Sequence, residues 1–152
     1  MPVLHMICGL PGSGKTTLAR RLEAEGDAVR LTPDEWMARI VGDGFDEERR
    51  AAVEAIQWEL AQRLLALGVD VILESGFWSR HERDAVRDRA DELGASVELH
   101  YLDVSIEELK ERLADRNGRL PASSFRIEPS LIDGWAATFE PLEPDELRTT
   151  EG

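Results

Sequence analysis

The stretch "GLPGSGKTT", residues 9–17, decides the fold. It matches the pattern G-x-x-x-x-G-K-[S/T], follows the apolar run "VLHMIC" at residues 3–8, and opens an amphipathic segment. A glycine-rich loop between a strand and a helix aims backbone N–H groups and the positive end of the helix at a phosphate. The residues predicted to bind ATP are Gly9, Gly12, Ser13, Gly14, Lys15, Thr16 and Thr17. We expect Lys15 to reach the β- and γ-phosphates and the Thr16 hydroxyl to coordinate Mg²⁺.

Apolar runs alternate with capped helices along the chain, which predicts an α/β fold with a parallel sheet. The predicted strands are residues 3–8, 28–31, 69–74 and 96–103. The first and third are almost continuously apolar, as in interior strands, whereas the fourth alternates, as in an edge strand. The sequence therefore predicts a P-loop NTPase three-layer sandwich with about four strands in the order 2-3-1-4. It forms a single domain, residues 1–152, whose end from about residue 141 is a weakly ordered tail.

Three S/T-x-x-E patterns predict capping boxes at helix starts: Thr32 with Glu35, Ser79 with Glu82, and Ser105 with Glu108. A long helix is predicted from about Asp46 to Leu67, and a short one near Leu131 to Thr138. The apolar stripe of the long helix is predicted to be Val53, Ile56, Leu60, Leu64 and Leu67. In the next helix, Arg80, Arg83, Arg87 and Arg89 alternate with acidic residues, which indicates a solvated face.

The composition limits the partners. The 152 residues include 31 acidic and 18 basic side chains, giving a formal net charge of -13. Such a surface repels a phosphodiester backbone, so nucleic acid is a less favoured partner than a small molecule. The one cysteine, Cys8, excludes an intramolecular disulfide, fits a core strand, and favours a cytoplasmic protein. No apolar run approaches the ~20 residues of a membrane span, and the oligomeric state is left open.

Asp34 is the candidate catalytic base. It lies in "LTPDEWM", just after the second predicted strand, and ligands of open α/β sheets bind beyond the carboxyl ends of strands. Thr32 and Glu35 already account for a helix start, so the helix does not need a second acid at position 34. A kinase needs a carboxylate that orients a hydroxyl and accepts its proton.

Other predicted site residues lie near the same edge of the sheet. Glu74 ends the third strand, and either Mg²⁺ binding or substrate binding is open for it. Trp36 and Trp78 flank these positions and are predicted to wall the acceptor pocket.

The segment "ERLADRNGRLP" supplies Arg112, Arg116 and Arg119, a cluster that fits a lid closing over a transferring phosphoryl group. Arg112 and Arg116 are predicted to be catalytic, and Arg116 and Arg119 are predicted to bind ATP. The histidines show no metal-ligand spacing, and His5 and His100 are interpreted as structural.

Together, residues 9–17, 31–37, 71–83 and 100–119 resemble the P-loop kinases that include polynucleotide 5′-kinase domains, chloramphenicol phosphotransferase and the zeta-toxin group. The resemblance covers nearly the whole chain. It implies that Lys15 and Thr16 bind ATP and Mg²⁺, that Asp34 is the base, and that Arg112 and Arg116 belong to a mobile lid. One position departs from the pattern: polynucleotide kinases carry an arginine three residues after the catalytic aspartate, where this chain has Met37.

The sequence thus predicts an ATP-dependent phosphotransferase that moves the γ-phosphoryl group to a hydroxyl of a small molecule. Two alternatives stay open: a 5′-hydroxyl polynucleotide kinase, and a non-catalytic ATP-binding module that signals to a partner protein.

Overall fold

The computed structural model describes residues 1–119 and 127–148. In these residues, strands and helices alternate from the N-terminus onward. The elements are β1 (Val3–Cys8), α1 (Lys15–Glu25), β2 (Val29–Leu31), α2 (Pro33–Trp36) with a π-helical turn (Met37–Val41), α3 (Glu47–Ala66), β3 (Val71–Gly76), α4 (Arg80–Glu92), β4 (Ser96–Tyr101), α5 (Ile106–Asn117), α6 (Leu131–Thr138) and α7 (Pro144–Arg148).

The four strands form one parallel sheet in the order β2-β3-β1-β4. This order confirms the prediction, and it places the two apolar strands, β1 and β3, in the interior. His5 of β1 lies opposite Ile72 on one side and opposite Glu98 of β4 on the other. The carboxyl end of β1 therefore delivers the phosphate loop to the middle of the sheet edge, next to the end of β3.

Both faces of the sheet are covered, which confirms the three-layer architecture. Alternate residues of β1, such as Met6 and Cys8, belong to a core shared with Ala61 of α3 and Ala90 of α4. On the other face, Ile7 packs with Ala19 of α1 and Ile72 of β3. Cys8 is fully buried, as expected of a core residue.

Two of the three predicted caps are present. The hydroxyls of Ser79 and Ser105 accept hydrogen bonds from the backbone N–H of Glu82 and Glu108, at 3.1 and 3.2 Å. The third was wrong: Thr32 makes no side-chain cap, because its hydroxyl donates to Glu74 and accepts from Arg30. Glu35 likewise pairs with Arg30, at 3.0 Å, instead of closing a capping box.

The long helix is rotated relative to the prediction. It is capped by Asp46, and its buried residues are Val53, Gln57, Ala61 and Leu65. Two members of the predicted stripe, Ile56 and Leu67, are 54% and 79% exposed. The small side chain of Ala61 is 0% exposed, so the helix face that carries it lies against the sheet.

The third strand begins and ends two residues later than predicted. Asp70, placed inside the predicted strand, instead precedes β3, where its side chain and its carbonyl accept hydrogen bonds from the backbone N–H of Val3 and Val29. As a result Glu74 lies within β3 and is 6% exposed, whereas the prediction placed it at the strand end.

Residues 141–148 were predicted to belong to a weakly ordered tail, but they include the helix α7. Residues 149–152 lie outside the described part. Arg83 of α4 is 0% exposed and binds Glu146 through its Nε and Nη2, at 2.8 and 3.2 Å. It also donates to the carbonyl of Phe77. A buried guanidinium needs such partners, so the interpretation of Arg83 as part of a solvated face was also wrong.

Within the described part of the chain, we find no helix that combines the length and the apolar character needed to cross a membrane.

We expect Glu146→Gln to lower the free energy of unfolding by about 3–5 kcal/mol, because it leaves the buried Arg83 charge without its counterion. Although burial raises the pKa of Glu146, hydrogen bonds from Arg83 lower it to about 2. The stabilisation is therefore complete above the unfolded pKa near 4.5 and is lost as the pH falls toward 2. Urea unfolding at several pH values measures both effects.

The matched control is Asp145→Asn, which breaks the exposed pair between Asp145 and Arg80. Its cost is expected to stay below about 1 kcal/mol. An equal loss of stability in the two variants would contradict the account of the Arg83–Glu146 pair.

Candidate active site

The phosphate loop has a backbone that requires glycine. Gly9, Gly12 and Gly14 all have positive φ angles, of 155°, 88° and 97°. A Cβ on Gly12 would lie 3.2 Å from the Leu113 side chain, and one on Gly9 would lie 2.6 Å from the Ser13 hydroxyl. A side chain at Gly9 or Gly12 would therefore crowd these neighbours, which lie close to the loop. Helix α1 begins directly after the loop, at Lys15.

The donors of this loop suit a polyphosphate. Lys15 lies in the site with its Nζ 2.9 Å from the Gly9 carbonyl. Its burial lowers its pKa, while the nearby charges of Glu74 and Asp34 raise it. The Ser13 hydroxyl is buried and has no hydrogen-bond partner among the described residues. Lys15 lines the cavity, so a phosphate oxygen there would accept a hydrogen bond from its Nζ, whereas Ser13 is not among the cavity-lining residues.

Glu74 joins the loop to the segment that carries Asp34. One of its oxygens, Oε1, accepts a short hydrogen bond from the Thr16 hydroxyl at the start of α1. The other, Oε2, accepts from the Thr32 hydroxyl just before α2, at 3.0 Å. Burial raises the pKa of Glu74, and these hydrogen bonds together with Lys15 oppose that shift.

A cavity of about 920 Å³ opens above these groups. It brings together most of the residues that the sequence predicted for the site. Those lining it are Gly12, Gly14, Lys15, Thr16, Thr17, Asp34, Glu74, Trp78, Arg112 and Arg116.

Asp34 carries a partner that the sequence did not reveal. Its Oδ1 accepts a short, charged hydrogen bond from Nη2 of Arg50, in the first turns of α3. The same Nη2 donates to the Gly44 carbonyl at 3.1 Å. The Asp34 side chain is 43% exposed, so its carboxylate can still meet a ligand in the cavity.

The arginines predicted for the lid differ in their positions relative to the phosphate loop. Nη1 of Arg112 donates to the Ser13 carbonyl at 3.2 Å, and Nη2 binds Glu108, so this side chain lies against the phosphate loop. Arg119, in contrast, is 75% exposed, pairs with Asp115 and is not among the cavity-lining residues. Arg119 follows the end of α5, and its ion pair with Asp115 does not bring it into the cavity, so its predicted role in binding ATP stays a prediction.

Trp36 also differs from the prediction. It packs against the hydrophobic core and does not line the cavity, whereas Trp78 does line it. The helix that begins at Pro33 turns Asp34 toward the cavity and Trp36 toward the core, a distinction that the position in the sequence alone did not show.

Several further residues of the cavity were missed, among them Arg50, Glu54 and Glu82. Arg50 and Glu54 are four residues apart on α3, so they share one helix face. The spacing was visible in the sequence, but nothing local indicated that this face meets Asp34. Burial raises the pKa of Glu54 to about 7, although Arg50 lowers it.

A glycine-rich phosphate loop, an acidic side chain across one cavity and arginines near the loop define a P-loop nucleotide-binding protein of the kinase class. The chain belongs to the AAA domain family, whose model matches residues 4–142. Family membership alone does not distinguish an ATPase from a kinase, and the relatives supply that distinction.

One relative is "Probable adenylyl-sulfate kinase" from Aeropyrum pernix, which is 32% identical over 152 residues, covering 95% of this chain and 81% of that protein. The structure is also similar to a chain in the Pnkp1/Rnl/Hen1 RNA repair complex, with a TM-score of 0.70 and 26% identity. That match covers 99% of this chain but 45% of the other. A protein from Chloroflexus aurantiacus matches with a TM-score of 0.72 and 21% identity, covering 94% and 83% of the two chains.

These similarities confirm three predictions: the resemblance to P-loop kinases, the fold, and the class of ATP-dependent phosphotransferase. Nucleotide binding follows from the same class.

We expect Glu54→Gln to remove part of the pH dependence of stability. Because folding raises the Glu54 pKa from 4.5 to about 7, the wild-type protein loses stability as the pH rises through this window. The variant should lack that loss, of about 3 kcal/mol, because glutamine stays neutral. Chemical unfolding between pH 4.5 and 7.5 measures the slope.

Glu59→Gln is the control, since Glu59 lies on the exposed side of the same helix. The interpretation fails if both variants keep the wild-type slope, or if both change it equally.

Proposed function

We propose that this protein transfers the γ-phosphoryl group of ATP to an alcohol hydroxyl of a small molecule. One observation carries the proposal: Asp34 and the phosphate-binding residues Lys15 and Thr16 line one cavity. The Thr16–Glu74–Thr32 hydrogen bonds hold the two parts in a fixed relation. We also place the reaction in the cytoplasm, where ATP, the donor, is supplied.

Asp34 is proposed as the base that orients the acceptor hydroxyl and takes its proton. Arg50 engages Oδ1 of this carboxylate, which leaves Oδ2 to accept a hydrogen bond from the hydroxyl. The ion pair with Arg50 holds the Asp34 carboxylate in position before the acceptor arrives. Base catalysis of this kind contributes typically ~10²–10⁴-fold to the rate.

The phosphoryl donor is held by the opposite wall of the cavity. Lys15 and the loop N–H groups bind the β- and γ-phosphates, while Arg112 and Arg116 counter the charge on the transferring group. The Thr16 hydroxyl and the Glu74 carboxylate are the groups suited to hold Mg²⁺, directly or through water. When bound, Mg²⁺ neutralises charge on the phosphate oxygens.

The charge of the acceptor side argues for a neutral or cationic acceptor. Glu54 and Glu82 line the cavity beyond Asp34, and Arg50 near them is already engaged by Asp34. An anionic acceptor, such as the adenylyl sulfate named for the Aeropyrum pernix relative, would meet these carboxylates. Burial raises the pKa of both glutamates, and Glu54, at about 7, is partly protonated near neutral pH. A hydroxylated amine, for example an amino sugar, would stabilise their ionised forms and make charge-assisted hydrogen bonds with them.

A 5′-hydroxyl polynucleotide acceptor has less support, despite the similarity to a chain of an RNA repair complex. Met37 occupies the position of the phosphate-binding arginine and is 0% exposed, so it lies in the core and not in the cavity. The net charge of -13 also opposes an extended polyanion.

We expect Asp34→Asn to lower kcat by about 10²–10⁴-fold while ATP still binds, because asparagine keeps the shape but cannot take a proton. The assay incubates the protein with ATP, Mg²⁺ and separate pools of neutral sugars, amino sugars, adenylyl sulfate and a 5′-hydroxyl oligonucleotide. Mass spectrometry identifies the phosphorylated product, and calorimetry measures ATP binding.

Glu35→Gln, the neighbouring acid that pairs with Arg30, controls for the lost charge and should keep activity within about threefold. A product formed equally well by Asp34→Asn would exclude Asp34 as the base. If ATP binds and no pool yields a product, the non-catalytic signalling module becomes the better explanation.

A further inference from the structure

The sheet carries a group of side chains remote from the proposed transfer reaction. His5 of β1 and Glu98 of β4 lie opposite each other in the sheet register, and His100 lies two residues further along β4 on the same face. The histidines show no metal-ligand spacing in the sequence, but the sheet brings two of them together. The two residues lie 95 positions apart, so only the pairing of the strands reveals that they meet.

Three potential ligand atoms converge in this cluster. His5 Nδ1 lies 3.1 Å from His100 Nε2 and 3.2 Å from Glu98 Oε2, and His100 Nε2 lies 3.8 Å from the same oxygen. In a tetrahedral site with bonds of about 2.0–2.1 Å, neighbouring ligand atoms stand about 3.3 Å apart. Two of the three separations match this spacing closely. The third needs a small rotation of Glu98, whose side chain is 51% exposed.

The chemistry of the three atoms favours a cation between them. A neutral imidazole presents one lone pair, and a carboxylate oxygen presents lone pairs only. If both imidazoles are neutral, an N–H proton between two of the three atoms makes one hydrogen bond, and the third atom then has no donor. Two imidazoles and one carboxylate, arranged tetrahedrally, form a ligand set suited to Zn²⁺.

The backbone holds the ligands in place without a metal. All three residues lie in the parallel ladder between β1 and β4. The imidazole centroids are 5.4 Å apart, with Nδ1 of His5 and Nε2 of His100 facing each other between them at hydrogen-bond distance, and a bound ion would replace this hydrogen bond after the rings turn. The His5 and His100 side chains are 14% and 24% exposed, so an ion can reach them from solvent. The strongly acidic surface would raise the local concentration of divalent cations.

We propose that His5, Glu98 and His100 form a Zn²⁺ site separate from the Mg²⁺ site of the phosphate loop, with water as the fourth ligand. The ion ties β4, an edge strand that pairs only with β1 in the described sheet, to the centre of the fold. His100 also lines a second cavity, of about 520 Å³, together with Gly14, Thr17 and Arg112. The site therefore stands beside the outer side of the phosphate loop.

The test uses chelator-treated full-length protein titrated with Zn²⁺ alone, followed by calorimetry. We expect one tight site in the wild type, and affinity at least about 100-fold weaker in His100→Gln and in Glu98→Gln. His81→Gln is the matched control, because His81 is exposed on α4 and far from the cluster in sequence. It should bind as the wild type does.

Thermal unfolding gives a second measurement that needs no enzymatic activity. At Zn²⁺ concentrations about 100-fold above Kd, Tm should rise by about 5–10 °C in the wild type and in His81→Gln. The metal-free melting curve of each variant shows whether it folds. If His100→Gln fails to fold, Glu98→Gln still tests the site, because its altered side chain is half-exposed. Zn²⁺ binding of equal strength in all four proteins, or none in the wild type, would overturn the proposal.

Discussion

The hydrogen bonds of Glu74 are the interaction on which the active site depends. Its carboxylate lies within an interior strand and binds the hydroxyls of Thr16 and Thr32, which begin the two helices on either side of the cavity. An ionised group in a buried position is costly unless its oxygens are satisfied, and here the partners come from the two segments that must be aligned. The need to satisfy one carboxylate thus fixes the phosphate loop relative to Asp34.

This arrangement explains why an acidic protein can bind a polyanion. The positive groups proposed to meet the phosphates are Lys15, the loop amides, Arg112 and Arg116, and Arg20 lines the same cavity. On the acceptor side the balance is reversed, with Glu54 and Glu82 around the Asp34–Arg50 pair. In the proposed reaction, ATP would bind at the basic wall, and an amine-bearing or neutral alcohol would bind at the acidic wall.

The sequence predicted those parts of the fold that depend on local signals. The phosphate loop, the strand order and two serine caps follow from glycine spacing, apolar runs and capping patterns, and each was confirmed. The errors share a physical origin in contacts distant along the chain. The sequence predicted Thr32 as a helix cap, but in the structure its hydroxyl donates a hydrogen bond to Glu74, 42 residues away.

The same reason explains the other differences. Arg83 was interpreted as solvated because its partner, Glu146, lies 63 residues later in the chain. The tail was predicted to be weakly ordered because its composition gives no sign of this buried ion pair. Arg50 and the His5–His100 pair were missed for this reason too. Residue type indicated which chemistry was available, but only the tertiary structure showed which side chains meet.

The central claim, that Asp34 acts across the cavity from the phosphate loop, is tested most directly by a crystal structure with ADP, Mg²⁺ and aluminium fluoride, a mimic of the transferring phosphoryl group. The account predicts the fluoride complex between Lys15 and Asp34, with Thr16 at the metal and an Asp34 oxygen within hydrogen-bond distance of the axial ligand. If the axial ligand is held by another side chain while Asp34 remains engaged only with Arg50, the account is contradicted.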